Sequence, residues 1–434
     1  MRSVLLLSVF AAASAASPAD FNTLVDEART ALGAFDMASA RMALDRACPS
    51  DARSLRPEQS AICDHYFAAL DEALGLDEEA AGRYRRALTR WEQAGPAYLS
   101  RRISTMTNLG SLYRRQRRFP EAEKMLSQAL DLSQPLGAIE PALHAATLGR
   151  LGTLYGDLDQ PDRARSMLEE TIGTLRNVPT AGAELAYTWS SLGMLELRAG
   201  RYKAGEADLR KAVSLASNVH GEENPETAFY QTDLALALMV EGQYNRAETL
   251  LHRSLFVIES RLGPDSPQLV NTLAELTSVE RELGRFGTAE DYGEKALLIL
   301  HSHMPPGRDE GASLEMVLLE ANLGNLYIRE RKLAQAESVL PAAVEAERRL
   351  FTNDRALADG LRSLAALRSQ QRAWTEAESF YREAIGVYER RLGEDHPDLA
   401  PVLREYAAVL KHQGAPRAQV KNIEARARSI AAAG

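Results

Sequence analysis

The chain has 434 residues, of which 45% are hydrophobic and 26% charged, and its formal net charge at pH 7 is −9. This composition is typical of folded globular proteins and excludes an intrinsically disordered chain. No block of five or six like charges occurs, so the sequence lacks the electrostatic pattern of general nucleic-acid binders and predicts no nucleic-acid partner.

The first sixteen residues have the pattern of a secretory signal peptide. Arg2 precedes an apolar run over residues 4–13 that is too short to span a membrane, and small residues at 13–16 supply a cleavage site. We therefore expect residues 1–16 to be removed. The remaining chain, 17–434, is expected to be exported to a bacterial periplasm or secreted, with no direct membrane insertion.

Cys48 and Cys63 are the only cysteines in the sequence. In an oxidising compartment we expect them to form a disulfide, which would stabilise the fold by about 3 kcal/mol for a loop of about fifteen residues. Two buried reduced thiols are the alternative. Two cysteines without a nearby histidine cluster do not complete a tetrahedral site, so no metal is predicted there.

A repeat of about 42 residues extends over nearly all of the chain after residue 17. In each clear unit a small residue is followed seven positions later by a second one, and successive units are 42, 42, 41, 42, 42, 47 and 41 residues apart. The pairs are Ala80/Ala87, Ala122/Ala129, Ala164/Thr171, Gly205/Ala212, Ala247/Ser254, Ala289/Ala296, Ala336/Ala343 and Ala377/Ala384.

Weaker units precede and follow these eight, which makes ten in all. Their approximate ranges are 18–48, 57–95, 96–137, 138–179, 180–222, 224–264, 266–304, 310–351, 353–393 and 397–431.

A second signature begins thirteen residues before the first small residue of each pair. Where it is complete, it has the form Leu-Gly-x-Leu-Tyr. Its apolar positions recur at spacings of three and four, which indicates one face of a helix. A turn and a second helix then follow, so each unit is predicted to be a helical hairpin. The complete copies contain Leu109, Gly110 and Tyr113; Leu151, Gly152 and Tyr155; and Leu323, Gly324 and Tyr327.

A ten-residue phrase, RLGEDHPDLA at 391–400, has echoes at 261–270 and 219–228. Its glycine is expected to end the second helix of one hairpin in a left-handed conformation. Its proline is expected to begin the first helix of the next hairpin, where the missing N–H would be unpaired anyway. The phrase is therefore predicted to be the joint between hairpins.

These patterns resemble the tetratricopeptide repeat, and in particular the long, 42-residue variety found in kinesin light chains. Leu109, Gly110, Tyr113, Ala122 and Ala129 fall at the offsets of the family signature. The resemblance implies an all-α solenoid, a right-handed superhelix of about ten hairpins with the first helix of each lining a concave groove. HEAT repeats have a similar period but do not explain the leucine, glycine, tyrosine and alanine pattern.

The resemblance also implies which residues would face a bound peptide, namely those just before the signature leucine. This series consists of Asn108, Arg150, Ser191, Asp233, Glu275, Asn322, Ser363 and Glu405. Polar side chains that merely face solvent are the alternative. Asn108 and Arg150 match part of the carboxylate clamp that binds C-terminal peptides, but Ala146 occupies the position of the clamp lysine, which argues against a clamp.

Arginines are concentrated in 83–90, at Arg101 and Arg102, and in 113–119. They could hold an acidic partner through bidentate contacts. Alternatively, they complement helix ends and solvate the outer surface.

No phosphate-binding loop, HExxH, GxSxG or cysteine-histidine constellation occurs, so no catalytic residue, cofactor or metal is predicted. We expect a non-enzymatic scaffold that binds a peptide or protein segment in the groove. One alternative is an assembly subunit that self-associates or docks to a membrane-associated complex. Another is an accessory subunit that regulates a separately encoded enzyme. The sequence does not determine the oligomeric state.

Overall fold

The computed structural model describes residues 18–49, 55–303, 314–350 and 355–433. Twenty α-helices and no β-strand occur in these ranges, and the predicted signal peptide, 1–16, lies outside them. None of the described helices is both long enough and apolar enough to cross a bilayer. The chain divides into two units, one ending at Leu185 and the other beginning at Ala186.

The first unit contains four complete helical hairpins. Its helices are α1 (Pro18–Gly33), α2 (Met37–Ala47), α3 (Pro57–Ala73), α4 (Asp77–Ala94), α5 (Leu99–Arg115), α6 (Phe119–Ser133), α7 (Pro141–Asp157) and α8 (Pro161–Leu175).

The second unit contains six hairpins, and the first turn of its first helix belongs to the preceding unit. Its helices are α9 (Gly182–Arg198), α10 (Tyr202–His220), α11 (Pro225–Val240), α12 (Tyr244–Leu262), α13 (Val270–Glu282), α14 (Phe286–Ser302), α15 (Leu314–Arg329), α16 (Leu333–Leu350), α17 (Arg355–Gln370), α18 (Trp374–Leu392), α19 (Leu399–His412) and α20 (Arg417–Ala433).

Within each unit the hairpins stack in chain order. Each first helix packs on its own second helix, and that second helix packs on the first helix of the next hairpin. The first helices of neighbouring hairpins also contact each other, as α5 and α7 or α15 and α17 do, while no comparable contact joins the described second helices. Each stack therefore curves toward its first helices, which lie on the inner face. The predicted all-α solenoid is confirmed.

The turn inside every hairpin contains one residue with positive φ. In sequence order these residues are Phe35, Gly75, Arg117, Asp159, Gly200, Gly242, Gly284, Arg331, Arg372 and Gly414. The left-handed conformation suits glycine, but it also occurs here in five residues with side chains. The turn geometry is therefore common to all ten hairpins although glycine is present in only half of them.

The paired small residues of the repeat are buried where the two helices of a hairpin approach each other. Ala122 and Ala129 have no exposed surface, and neither do Ala336 and Ala343. On the opposite helix, a Cβ atom placed on Gly110 would lie 2.6 Å from Leu126 Cγ, and on Gly324 it would overlap Leu340. The signature glycine and alanines are required because the helices pack too closely for larger side chains.

The joints differ from the sequence prediction in two respects. Gly221, Gly263 and Gly393 have φ of 89°, 90° and 94°, but their ψ values are 163°, 163° and 158°. This is an extended conformation that is essentially restricted to glycine, and not the left-handed helical one. The prolines were predicted to begin the next helix. Pro225 does so, whereas Pro397 precedes α19 by two residues.

Replacing Gly110 with alanine is expected to lower the thermal midpoint. The added methyl group would meet Leu126, and overpacking of this kind costs about 1 to 3 kcal/mol. Gly173 in α8 is the matched control because it is helical and exposed, with open space around it. Gly173→Ala should raise stability by about 0.5 to 1 kcal/mol through helix propensity. Equal shifts for the two variants in circular dichroism melts would contradict the close-packing argument.

Candidate binding groove

The inner face of the second unit contains a groove with a volume of about 430 Å³. It is formed by the first helices α13, α15, α17 and α19, and its lining is polar apart from two aliphatic side chains. The lining residues are Arg281, Glu282, Asn322, Asn325, Ile328, Arg329, Asp359, Arg362, Ser363, Ala366 and Glu405. Three of the residues predicted to face a peptide, Asn322, Ser363 and Glu405, therefore line one cavity.

Asn322 and Asn325 present two amide groups to this groove. They are three residues apart on α15 and hence on the same helix face, and both are half-buried. Within the described residues neither side chain forms a hydrogen bond. Each amide offers a carbonyl acceptor and an NH₂ donor, which is the set needed to bind a peptide backbone.

The arginines of the groove are each matched by a carboxylate. Arg281 and Arg329 both contact Glu282 at 3.2 Å. Arg362 donates twice to Glu405, with Nε to Oε2 at 2.8 Å and Nη2 to Oε1 at 2.5 Å. These charge-assisted bonds join α13 to α15 and α17 to α19, so each arginine on this stretch of the groove has a carboxylate partner.

Asp233 on α11 and Glu275 on α13 continue the inner face beyond the cavity. Both are half-buried, and Asp233 accepts a hydrogen bond from Ser190 at 2.7 Å. Burial raises the pKa of Asp233 to about 6. Burial and the nearby charge of Asp233 raise the pKa of Glu275 to about 7. No lysine or arginine of the described chain forms an ion pair with either carboxyl group.

The two predicted serines contribute less than the asparagines. Ser363 lines the cavity, but its hydroxyl donates to the backbone carbonyl of Asp359 at 2.8 Å, as a serine inside a helix commonly does. Ser191 is half-buried on α9 at the same repeat position.

In the first unit, the predicted contact residues already have partners. Asn108 is hydrogen-bonded to the hydroxyl of Tyr84. That hydroxyl donates to Glu72, which Arg115 also contacts at 2.6 Å. Arg150 forms an ion pair with Glu184 at 3.2 Å. These side chains join neighbouring helices, so the pair suggestive of a clamp serves packing in this structure.

The arginine-rich segments of the first unit are largely neutralised within the unit. Seven of their ten arginines form ion pairs with carboxylates: Arg83, Arg86, Arg90, Arg102, Arg114, Arg115 and Arg118. Of the two interpretations, this arrangement favours arginines that solvate the surface and crosslink helices. It speaks against a site for an acidic partner.

One histidine and two carboxylates come together outside the groove, in Glu248, His252 and Glu280. Arg285 contacts Glu248 and also Glu280, the latter at 3.2 Å. The carboxylates thus already have a cationic partner, so this cluster is a poor candidate for a metal centre.

Cys48 and Cys63 are bonded to each other, with their Sγ atoms 2.07 Å apart. The bond joins the end of α2 to α3, beside a small apolar cluster that includes Ile62 and Trp91. It lies in the first unit and takes no part in the groove.

The curvature of the second unit is set in part by a contact between distant segments. Tyr202 at the start of α10 donates to Asp398 at 3.0 Å, across 196 residues of sequence. His396 is buried beside Gly200, where a Cβ atom would lie 3.1 Å from His396 Nε2. The hairpin turn after α9 therefore meets the joint before α19, and the inner face between them is held curved.

Several groove residues escaped the sequence analysis, among them Asn325, Arg329 and Arg362. A signal for two of them exists: Asn325 and Arg329 lie three and seven positions after Asn322, which places all three on one helix face. Extending the position of Asn322 by helical periodicity would have found Asn325 and Arg329, whereas Arg362 directly precedes Ser363 and does not follow from this spacing.

Comparison with known proteins identifies the repeat. A tetratricopeptide repeat model matches residues 59–134, 101–177, 184–240 and 230–300, together more than half of the chain, and a second tetratricopeptide repeat model matches 357–398. No curated protein matches this sequence significantly.

Solved structures with similar folds share little sequence with this chain. A Rap protein complexed with competence and sporulation factor matches 86% of this chain and 98% of its own, with 13% identity and a TM-score of 0.59. NprR in complex with its cognate peptide NprX matches 69% and 86%, with 12% identity and a TM-score of 0.51. A putative kinesin light chain of Podosopora anserina matches 48% and 98%, with 17% identity and a TM-score of 0.38.

The raised pKa of Glu275 predicts a pH-dependent effect of Glu275→Gln on stability. A carboxyl with a raised pKa binds more protons in the folded than in the unfolded state, so the stability of the native protein falls as pH rises from about 4.5 to about 7. Glutamine removes that penalty. The thermal midpoint of the variant relative to the native protein should therefore be higher at pH 8 than at pH 5. Glu223, whose side chain is 84% exposed, provides the control Glu223→Gln, for which we expect no such difference. A pH-independent shift for Glu275→Gln would refute the burial argument.

Proposed function

The chain belongs to the tetratricopeptide repeat family, and we propose that it is a non-enzymatic interaction protein that binds an extended peptide or protein segment in the groove of its second unit. The resemblance inferred from its leucine, glycine, tyrosine and alanine pattern is thereby confirmed at the level of the family.

The observation that carries this proposal is that Asn322 and Asn325 form no side-chain hydrogen bond within the described residues and line a cavity whose arginines already have carboxylate partners. An extended segment needs backbone partners along its length, and amide side chains can donate and accept at once. Ala366, which is half-buried, adds apolar contact surface between the polar groups.

The structural comparisons support a peptide or protein ligand. The Rap protein is in complex with competence and sporulation factor, and NprR is in complex with the peptide NprX. Both share the fold of this chain, and a curved stack of helical hairpins offers an inner face long enough for an extended segment.

Replacing both groove asparagines with alanine should abolish most partner binding without changing the thermal midpoint. The partner would be captured from the native compartment with the tagged full-length protein and quantified by mass spectrometry. Asn245→Ala is the matched control, because Asn245 is exposed on a second helix, away from the groove. Unchanged capture by Asn322→Ala/Asn325→Ala would show that the groove is not the binding surface. Recovery of only the protein's own chain would favour the assembly alternative.

We further propose that the protein acts outside the cytoplasm. The signal-like pattern of residues 1–16 supports export, and so does the disulfide between Cys48 and Cys63, because such bonds persist mainly in oxidising compartments. Amino-terminal sequencing of the protein recovered from the periplasm or medium would test the cleavage.

Reduction of the disulfide should lower the stability of the first unit by about 3 kcal/mol, since the bond restricts the unfolded chain. Chemical denaturation with and without reductant measures this change. A variant with both cysteines replaced by alanine should be insensitive to reductant, which controls for other effects of the reagent. Full reactivity of both thiols in native, non-reduced protein would contradict the disulfide.

A further inference from the structure

We propose that Asp233 and Glu275 form a subsite for a lysine or arginine side chain of the segment bound in the groove of the second unit. This inference rests on the proposed function and adds to it the charge of the ligand and the place where that charge binds.

The two carboxyl groups occupy equivalent positions on consecutive first helices. Asp233 and Glu275 each directly precede the signature leucine position of their repeat, 42 residues apart. The helices that bear them, α11 and α13, are in direct contact. A buried hydrogen bond of 3.0 Å joins the hydroxyls of Thr232 and Thr272 between the same two helices. The carboxyl groups are therefore neighbours on a fixed platform.

The arginines of the cavity have carboxylate partners, whereas no lysine or arginine of the described residues forms an ion pair with Asp233 or Glu275. Glu282 and Glu405 match the arginines that line the cavity. Asp233 has only the Ser190 hydroxyl as a hydrogen-bond partner among the described residues, and Glu275 has none. The uncompensated charge of the groove is thus negative, and the complementary ligand group is a cation.

Burial disfavours the ionised forms of both carboxyl groups as long as no cation is bound beside them. The charged groups that act on it are Glu226, which disfavours ionisation of Asp233, and Arg281, which weakly favours ionisation of Glu275. With a pKa of about 7, the unliganded Glu275 is only partly ionised near neutral pH, whereas Asp233, with a pKa of about 6, is mostly ionised. A bound ammonium or guanidinium group would favour their ionised forms, so affinity for the cation should increase from pH 5 to pH 8.

The spacing of the helices predicts where in the ligand the basic residue lies. Neighbouring packed helices are about 10 Å apart, and an extended segment advances about 3.3 Å per residue. Asn322 lies one hairpin beyond Glu275 and two beyond Asp233. The basic side chain should therefore stand about three to six residues from the part of the backbone held by the asparagines.

An array of N-acetylated peptides of about twelve residues, probed with the full-length protein, tests the inference. Acetylation removes the amino-terminal charge, so a cation preference must come from side chains. We expect bound peptides to be enriched in lysine or arginine at one position. For a selected peptide, replacing that residue with norleucine should weaken binding about tenfold to the native protein but less than twofold to Asp233→Asn/Glu275→Gln. The exposed-site variant Glu223→Gln should behave as the native protein does.

The outcomes separate the two proposals. Binding of peptides without any preference for a basic residue would overturn the cation subsite and leave the groove proposal standing, as would an equal norleucine effect in the double variant. Failure of every peptide to bind the native protein would contradict both proposals. Because both substitutions are nearly isosteric, matching melting curves at pH 5 would show that loss of the preference is not caused by unfolding.

Discussion

The close approach of the two helices in each hairpin is the constraint on which the rest of this structure depends. Alanines with no exposed surface, such as Ala122 and Ala336, face glycines whose Cβ position is already filled by a leucine of the partner helix. Side chains this small bring the helix axes close together, so the remaining leucines and tyrosines interlock and exclude water. A single hairpin cannot bury both of its faces, and stacking in chain order completes the core.

Because of that constraint, the packing geometry is the same in every repeat, whereas the chemistry of the inner-face residues differs from one repeat to the next. Positions at the helix contact must be small or apolar in every unit. The residue just before the signature leucine faces the inner surface and varies freely among asparagine, arginine, serine, aspartate and glutamate. In the first unit these residues bond to neighbouring helices, as Asn108 does to Tyr84. In the second unit Asn322 has no side-chain hydrogen bond among the described residues and lines a cavity. The same repeat position therefore serves packing in one place and offers a binding group in another.

Asp233 and Glu275 differ in their electrostatic environment from the other charged residues of the protein that are discussed above. Most arginines of the first unit and those of the groove are already paired with carboxylates, so little free positive charge is presented there. Asp233 and Glu275 are the exception, because burial disfavours their charge and no lysine or arginine of the described residues forms an ion pair with them. Carboxyl groups whose pKa is raised by burial lower the free energy of unfolding at neutral pH. Perturbed pKa values of this kind are common at sites that bind a ligand.

The sequence by itself determined the helical hairpins, their number and the residues at their contacts, because a 42-residue period with fixed small residues admits one kind of local packing. It also identified Asn322, Ser363 and Glu405 as inner-face residues through the repeat register. It could not show that Ser363 uses its hydroxyl on its own backbone, that Arg362 pairs with Glu405, or that Arg150 pairs with Glu184. Only the tertiary structure decided those partners, and it alone brought Tyr202 to Asp398 across 196 residues. The physical reason is that a repeat specifies contacts between neighbouring hairpins, whereas the curvature that joins distant ones accumulates over the whole stack.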